Sequence, residues 1–190
     1  NLCKEKAVRG IVEAGPERIK WLIDLGTHFT TRGELGEKTE SLKGEFDLGR
    51  EGGHKKRRVI HAGDITGEEV ERALIAACRE NPRIHIFERH IAADLITTGR
   101  LGWMGENQCL GAYVLDIDNN VVKTFSSYST TVATGGCGKV YLYTSNSDVA
   151  CGGGVALCYR AYAKIANMEF LQFHPTLLYH PQIKSFLISE

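Results

Sequence analysis

The residues best suited to chemistry fall in three places along the chain. In Gly49-Arg50-Glu51-Gly52-Gly53-His54, a guanidinium, a carboxylate and an imidazole crowd a backbone kept bare by glycine. A carboxylate there can pair with a substrate ammonium, and an arginine with a substrate carboxylate. In Met168-Glu169-Phe170-Leu171-Gln172-Phe173-His174-Pro175-Thr176, an imidazole and a hydroxyl are set into an apolar run. Proline fixes its own φ and pushes the preceding residue into extended geometry, so His174 must project from a strand end or turn rather than a helix. Taken alone, it reads first as a core histidine satisfied by a backbone carbonyl, since one imidazole specifies no reaction. The third place is a pair of glycine runs, Thr134-Gly135-Gly136-Cys137-Gly138 and Gly152-Gly153-Gly154. Bare backbone N–H groups approach a flat or anionic ligand closely, and a helix N-terminus adds a favourable dipole for anions. Neither run has the G-x-G-x-x-G spacing, so a tight turn and a flexible helix start stand as equal readings.

The composition limits the partners. With 190 residues there is room for one domain with a real core, or one domain and part of another. Lys+Arg and Asp+Glu are 23 each, so no net field recruits nucleic acid or an anionic membrane surface. The basic run Lys55-Lys56-Arg57-Arg58 has no interleaved aromatic residue and reads as a solvated face. No apolar stretch approaches the roughly 18 residues of a membrane span, which makes a cytoplasmic location the default. The six cysteines, at positions 3, 78, 109, 137, 151 and 158, form no C-x-x-C pair. None has metal-finger spacing to a histidine, so they read as reduced thiols and no metal site is expected. The chain begins at Asn1, and its last segment, Ser185-Phe186-Leu187-Ile188-Ser189-Glu190, stops in an apolar run, so it reads as cut from a longer one.

The elements that must position these residues follow from periodicity. Val8, Ile11 and Val12, then Ile19, Leu22 and Ile23, predict two short helices separated by Gly15-Pro16. Residues 30 to 50 read as a polar surface excursion that delivers the Arg50-Glu51 segment. Thr66 and Glu69 form a candidate capping box for a helix with Val70, Ala73, Leu74, Ala77 and Cys78 on one face, ended by Asn81-Pro82. The period then changes to strands over 84–88, 92–97, 111–117, 121–125 and 129–134, with Asn119-Asn120 as a tight turn. Gly152 to Gly154 opens a helix running to about Ala163. The fold class is α/β, or α+β, in layers.

The order of motifs carries a resemblance. Phe46 to His54, Arg57-Arg58, His61 to Gly67, Ala133 to Gly136, Lys139 to Tyr141, Asn167 to Phe170, Gln172 to Thr176 and Tyr179 to Pro181 together resemble the L-aspartate oxidase family. That family belongs with the succinate dehydrogenase and fumarate reductase flavoproteins. The resemblance spans essentially the whole chain. It implies the interior of a glutathione-reductase-like, Rossmann-type FAD-binding domain over residues 1–165 and the start of a substrate-capping domain over 166–190. It implies FAD as cofactor and oxidation of L-aspartate to iminoaspartate, with dioxygen or fumarate as acceptor. That reaction is the first step toward quinolinate and NAD, so the resemblance also implies association with a quinolinate synthase.

Residue by residue, the resemblance gives Glu51 the substrate ammonium, His174 a substrate carboxylate, and Ser189 the place of a substrate-binding threonine. Ile91 and Ala92 fall near the adenine half of FAD, and Thr134, Gly135 and Gly136 at the cofactor turn. The dicarboxylate dehydrogenases carry glutamine where this chain has Glu51, which argues against the runner-up, a fumarate reductase or succinate dehydrogenase flavoprotein subunit. Three positions depart from the family: Gly153 stands where a cofactor-binding aspartate is usual, Lys55 replaces a serine, and Ser147 a proline. The pyrophosphate-seating G-x-G-x-x-G turn and the catalytic arginine fall outside residues 1–190. From these departures the 190 residues alone are expected to bind FAD weakly or not at all. A non-enzymatic remnant or protein-binding module is the other class that stays open.

Overall fold

The computed structural model describes residues 3–32, 46–174, 176–180 and 183–187, the last two stretches beyond residue 178 by backbone alone. These residues form two compact units that divide between Ile86 and Phe87. All strand pairs among them are antiparallel, so the layered fold is of the mixed α+β kind.

The first unit opens with α1, Glu5–Asp24, one continuous helix rather than the two short ones predicted. Pro16 lies inside it. Proline removes one N–H donor, but the turns on both sides still bond and carry the helix through. Beyond α1, Phe29 stacks edge-on against Phe46 with ring centroids 6.5 Å apart, and Thr31 bridges Phe46. The hairpin of β1, Leu48–Gly49, and β2, Val59–Ile60, pairs Leu48 with Ile60 and Gly49 with Val59. Most of the predicted excursion over residues 30 to 50 lies outside the described residues.

Helix α2 spans Thr66–Glu80 with Ala73 almost fully buried. The capping box does not form. Thr66 is already the first helical residue, Ile65 is the cap, and the Thr66 hydroxyl accepts the Ala62 N–H at 3.0 Å. Glu69 is engaged elsewhere, accepting the His28 N–H at 2.7 Å and two bonds from Arg72 at 2.7 Å. Arg72 reaches on to the Gly26 carbonyl at 2.8 Å, which ties the end of α1 to α2. The Asn81 side chain accepts the Arg83 N–H at 3.0 Å, a local turn that stops the helix before Pro82.

The second unit is built on a three-stranded meander: β3, His90–Thr97, β4, Cys109–Asp116, and β5, Val121–Ser126, in the order β3-β4-β5. The Asn119-Asn120 turn is present, with Asn120 at φ 50° and buried Asp116 accepting the Asn119 N–H at 3.1 Å. Lys123, at 2.6 Å, also holds Asp116. Residues 84–88 and 129–134, predicted as strands, join no ladder among the described residues, and Glu88 falls in a turn. β-propensity selects extended backbone, but a strand also needs a neighbour to bond.

Helix α3, Gly153–Arg160, lies on β3. Leu157 and Ala161 meet Leu95 and Ala112, with Cys109 and Val114 packed at the margin, to make the core of this unit. Arg160 bonds Asp94 at 3.2 Å and the Ala93 carbonyl at 3.0 Å, while Arg100 pairs with the other oxygen of Asp94 at 2.8 Å. The Asn107 amide caps the helix end, donating to the Ala161 carbonyl at 3.0 Å. The last pair, β6, Leu177–His180, and β7, Ile183–Leu187, forms a separate ladder.

Candidate functional site

The second unit brings the two glycine runs together. The Gly152 N–H donates to the Gly136 carbonyl at 3.2 Å, across a sequence gap that the periodicity alone does not bridge. A β-carbon on Gly154 would collide with the Thr134 hydroxyl and sit 3.0 Å from Val132. Glycine at 154 is therefore what lets the turn at Thr134 lie directly on the start of α3. Gly135 has φ +70° and open space around it, so an exposed stretch of bare backbone faces solvent beside a helix N-terminus. A flat ring or a phosphate can approach such a surface, and the residues fit a flavin cofactor in that respect. Gly153 sits in the first turn of α3 with no carboxylate to add, and the nearest atom to its β-carbon position is the Cys151 sulfur at 3.7 Å.

The same turn leads into a cavity of about 430 Å³ that is bordered by Gly136, Tyr143, Asn146, Gln172 and His174. Leu171, Gln172, Phe173 and His174 border it in succession. The His174 Nδ1 lies 3.2 Å from the Thr176 N–H and 3.0 Å from the Thr176 carbonyl. Either bond fixes the ring, and Nε2 has no protein partner among the described residues. The core-histidine alternative is thereby set aside, since the side chain is exposed. Phe173 borders the same cavity and packs edge-on to Tyr141 at 5.1 Å between centroids. Gln172 and the Tyr143 to Asn146 segment were not singled out as site residues by sequence reasoning.

The first unit holds Glu51 at the tip of the β1–β2 hairpin. Its carbonyl accepts the His54 N–H at 3.0 Å in a turn that passes through Gly53 at φ +76°. The Glu51 carboxylate is exposed and makes no ion pair among the described residues, so it is free to take a cation. Behind the hairpin, His61 Nε2 stands 3.0 Å from Asp47 and its Nδ1 3.3 Å from the Gly63 carbonyl, a fixed bracket under the charged tip. Arg57 donates to the Leu48 carbonyl at 3.2 Å and closes the hairpin.

The remaining predicted residues are placed as follows. Ile91 and Ala92 open β3 with their side chains exposed, Ile91 at 53%, and neither borders the cavity of His174. Ser189 lies outside the described residues. Among the described residues no group of three or more His, Cys, Asp or Glu is arranged to hold a metal ion. No described helix is long and apolar enough to cross a membrane.

The chain resembles known proteins in sequence and in fold. The chain is 52% identical over its whole length to L-aspartate oxidase 1 of Ralstonia nicotianae, spanning 34% of that protein. It is 48% identical, again over its whole length, to the L-aspartate oxidase of Pseudomonas aeruginosa, spanning 35% of it. With the chloroplastic L-aspartate oxidase of Arabidopsis thaliana it shares 45% identity over 94% of the chain and 26% of the relative. The chain thus spans about a third or less of the length of these relatives. Among solved structures, the apo Mycobacterium smegmatis Sdh1 complex superposes with a TM-score of 0.70 at 28% identity, covering 92% of this chain and 29% of that one. A variant of E. coli quinol fumarate reductase FrdA gives a TM-score of 0.69 over 84% of this chain and 24% of that one; at 22% identity it speaks to fold alone. The profile of the FAD binding domain family matches residues 1–190. The chain belongs to the FAD binding domain family of the succinate dehydrogenase and fumarate reductase type of flavoprotein.

Proposed function

We propose that this chain is the substrate- and flavin-contacting portion of an L-aspartate oxidase, which converts L-aspartate to iminoaspartate with dioxygen or fumarate as the final acceptor. The observation that carries the reading is the cavity shared by Gly136 and His174, where a bare-backbone turn and a free imidazole nitrogen face the same space. FAD, when bound, supplies the hydride acceptor, which leaves the protein to orient the substrate and balance its charge. His174 Nε2 takes a substrate carboxylate, with Gln172 beside it. Ser189 adds a hydroxyl to the same recognition. Glu51 takes the α-ammonium that succinate and fumarate lack, and this contact separates an amino-acid oxidase from a dicarboxylate dehydrogenase. Thr134, Gly135 and Gly136 lie along the flavin, Gly153 at the start of α3 beside it, and Ile91 and Ala92 toward the adenine half.

On this reading residues 1–165 belong to the FAD-binding domain and residues 166–190 begin the cap over the substrate. The iminoaspartate product is unstable in water, and a quinolinate synthase in the cytoplasm is the partner suited to receive it. Anaerobic titration of the FAD-loaded flavoprotein tests the function. L-aspartate is expected to bleach the flavin absorbance and succinate to leave it unchanged. Bleaching by succinate alone would replace this reading with the dicarboxylate dehydrogenase one. In a parallel titration of residues 1–190 with FAD alone, followed by flavin fluorescence, weak binding is expected because Gly153 offers no acceptor. A tight stoichiometric complex would overturn that expectation.

A further inference from the structure

We propose that Cys137 and Cys151 are a peroxide-oxidisable thiol pair, which closes to a disulfide between the glycine turn and the start of α3. Both residues border one apolar cavity of about 390 Å³, together with Val140, Val155, Ala156 and Ile165. Cys151 is exposed and Cys137 half-buried, so a small oxidant reaches the pair from solvent.

The backbone brings the segments that carry the two residues together. The Gly152 N–H donates to the Gly136 carbonyl at 3.2 Å, and the Lys139 N–H donates to the Ala150 carbonyl at 3.0 Å. These two bonds bracket Cys137 and Gly138, where a short 3-10 turn begins, on one segment and Cys151 on the other. The Gly152 N–H belongs to the peptide unit that follows Cys151 and the Gly136 carbonyl to the one that precedes Cys137, so both cysteines adjoin the same backbone hydrogen bond. The segments are in close contact, since a β-carbon on Gly152 would lie 2.9 Å from the Cys137 Cβ. The Lys139 to Asp148 ion pair at 2.9 Å holds the intervening loop folded back on itself. By contrast, the Cys109 thiol is engaged by the Gly111 carbonyl and the Thr130 hydroxyl, each at 3.6 Å.

The step balances with hydrogen peroxide as oxidant. One thiolate sulfur attacks the peroxide oxygen, the O–O bond breaks, and a sulfenic acid forms with release of water. The second sulfur displaces the sulfenic oxygen, which leaves as another water. Two electrons pass from the sulfurs to the peroxide. Only the source of the oxidant rests on the proposed function, because an oxidase that uses dioxygen releases hydrogen peroxide. The bond then clamps the Gly135-Gly136 turn onto the N-terminus of α3.

The test is treatment of the full chain with hydrogen peroxide, alkylation of the remaining thiols, digestion without reduction, and mass spectrometry of the linked peptides. A dominant Cys137–Cys151 pair is expected, absent in Cys151→Ser and removed by dithiothreitol. In strong urea, where loop length alone governs pairing, mixed pairs are expected instead. Separate alkylation of both thiols, preferential linkage of either to Cys158 or Cys3, or the same distribution with and without urea would overturn the proposal. If L-aspartate fails to bleach the flavin while added peroxide still forms the pair, the oxidase reading falls and the thiol pair stands.

Discussion

The glycines at the hairpin tip of the first unit and those around α3 in the second serve opposite ends. At the tip, a β-carbon on Gly53 would meet nothing within 4 Å, and Arg50, Glu51, Lys55 and Lys56 stand exposed around it. There glycine permits a left-handed turn and leaves room for charge. Around α3, β-carbons on Gly154 and Gly138 would strike Thr134 and Asn146, and one on Gly152 would press on Cys137. There glycine permits contact, and the nearby charges are engaged in the Lys139–Asp148 pair and the Asp94 pairs with Arg100 and Arg160. Tight apposition of backbone suits a large flat cofactor, whereas an open, charged turn suits discrimination among small ionic substrates.

Substitutions can break this contrast, and the largest effect is expected in the packed region. Gly154→Val drives methyl groups into Thr134 and Val132 and should cost about 3 kcal/mol or more, read as a lower urea midpoint and loss of flavin affinity. A midpoint equal to that of the unsubstituted chain would mean that the turn yields freely. The hairpin tip should respond in the reverse way. In the flavoprotein, Glu51→Gln removes a charge-assisted bond worth about 1.5–3 kcal/mol. It should therefore lower kcat/KM for L-aspartate by about tenfold to a hundredfold, with no loss of thermal stability. A stability loss without a kinetic one would return Glu51 to a structural role.

Smaller effects sharpen the contrast. Gly53→Ala forces a side chain into φ +76° without any clash, so a cost of about 1 kcal/mol is expected, visible in a thermal melt. Gly153→Asp meets only the Cys151 sulfur at 3.7 Å and places an acid in the first turn of α3. It should gain about 0.3–1 kcal/mol of stability and tighten FAD binding, which fluorescence titration checks.

Acid should also distinguish the units. Hydrogen bonds from Arg72, and then the His28 N–H, hold the Glu69 carboxyl down from an ordinary value near 4.5 to about 2. A carboxyl depressed in the folded state stabilises above its unfolded pKa, and that contribution is lost as pH falls from about 4.5 toward 2. Asp116 in the second unit is held further below the carboxylate range by Lys123 and Asn119, from a lower starting value, so its loss comes later. Trp21 fluorescence should therefore change at higher pH than Trp103 fluorescence, and Glu69→Gln should remove the difference. Coincident transitions in the unsubstituted chain would show that the two units unfold as one.

Much of this was legible in the sequence. The helix over 66–80, the β3-β4-β5 strands, the Asn119-Asn120 turn and the helix opening at Gly153 follow from local periodicity and turn chemistry, which need no distant partner. The order of motifs was enough for the family. What failed did so where bonding partners decide. The predicted strands over 84–88 and 129–134 found no ladder among the described residues, Glu69 left its capping role for Arg72 and His28, and α1 ran on through Pro16.

The site divides along the same line. Residue types and spacing alone determined that Glu51 and His174 could bind charge and that the two glycine runs could accept a ligand. Only the tertiary structure decided that Gly136 bonds to Gly152, that Gly154 underlies Thr134, that His174 opens onto the same cavity as Gly136, and that Cys137 borders the same cavity as Cys151. Chemical potential resides in a side chain and its near neighbours, whereas proximity across a chain depends on how distant segments pack, and no local pattern encodes that.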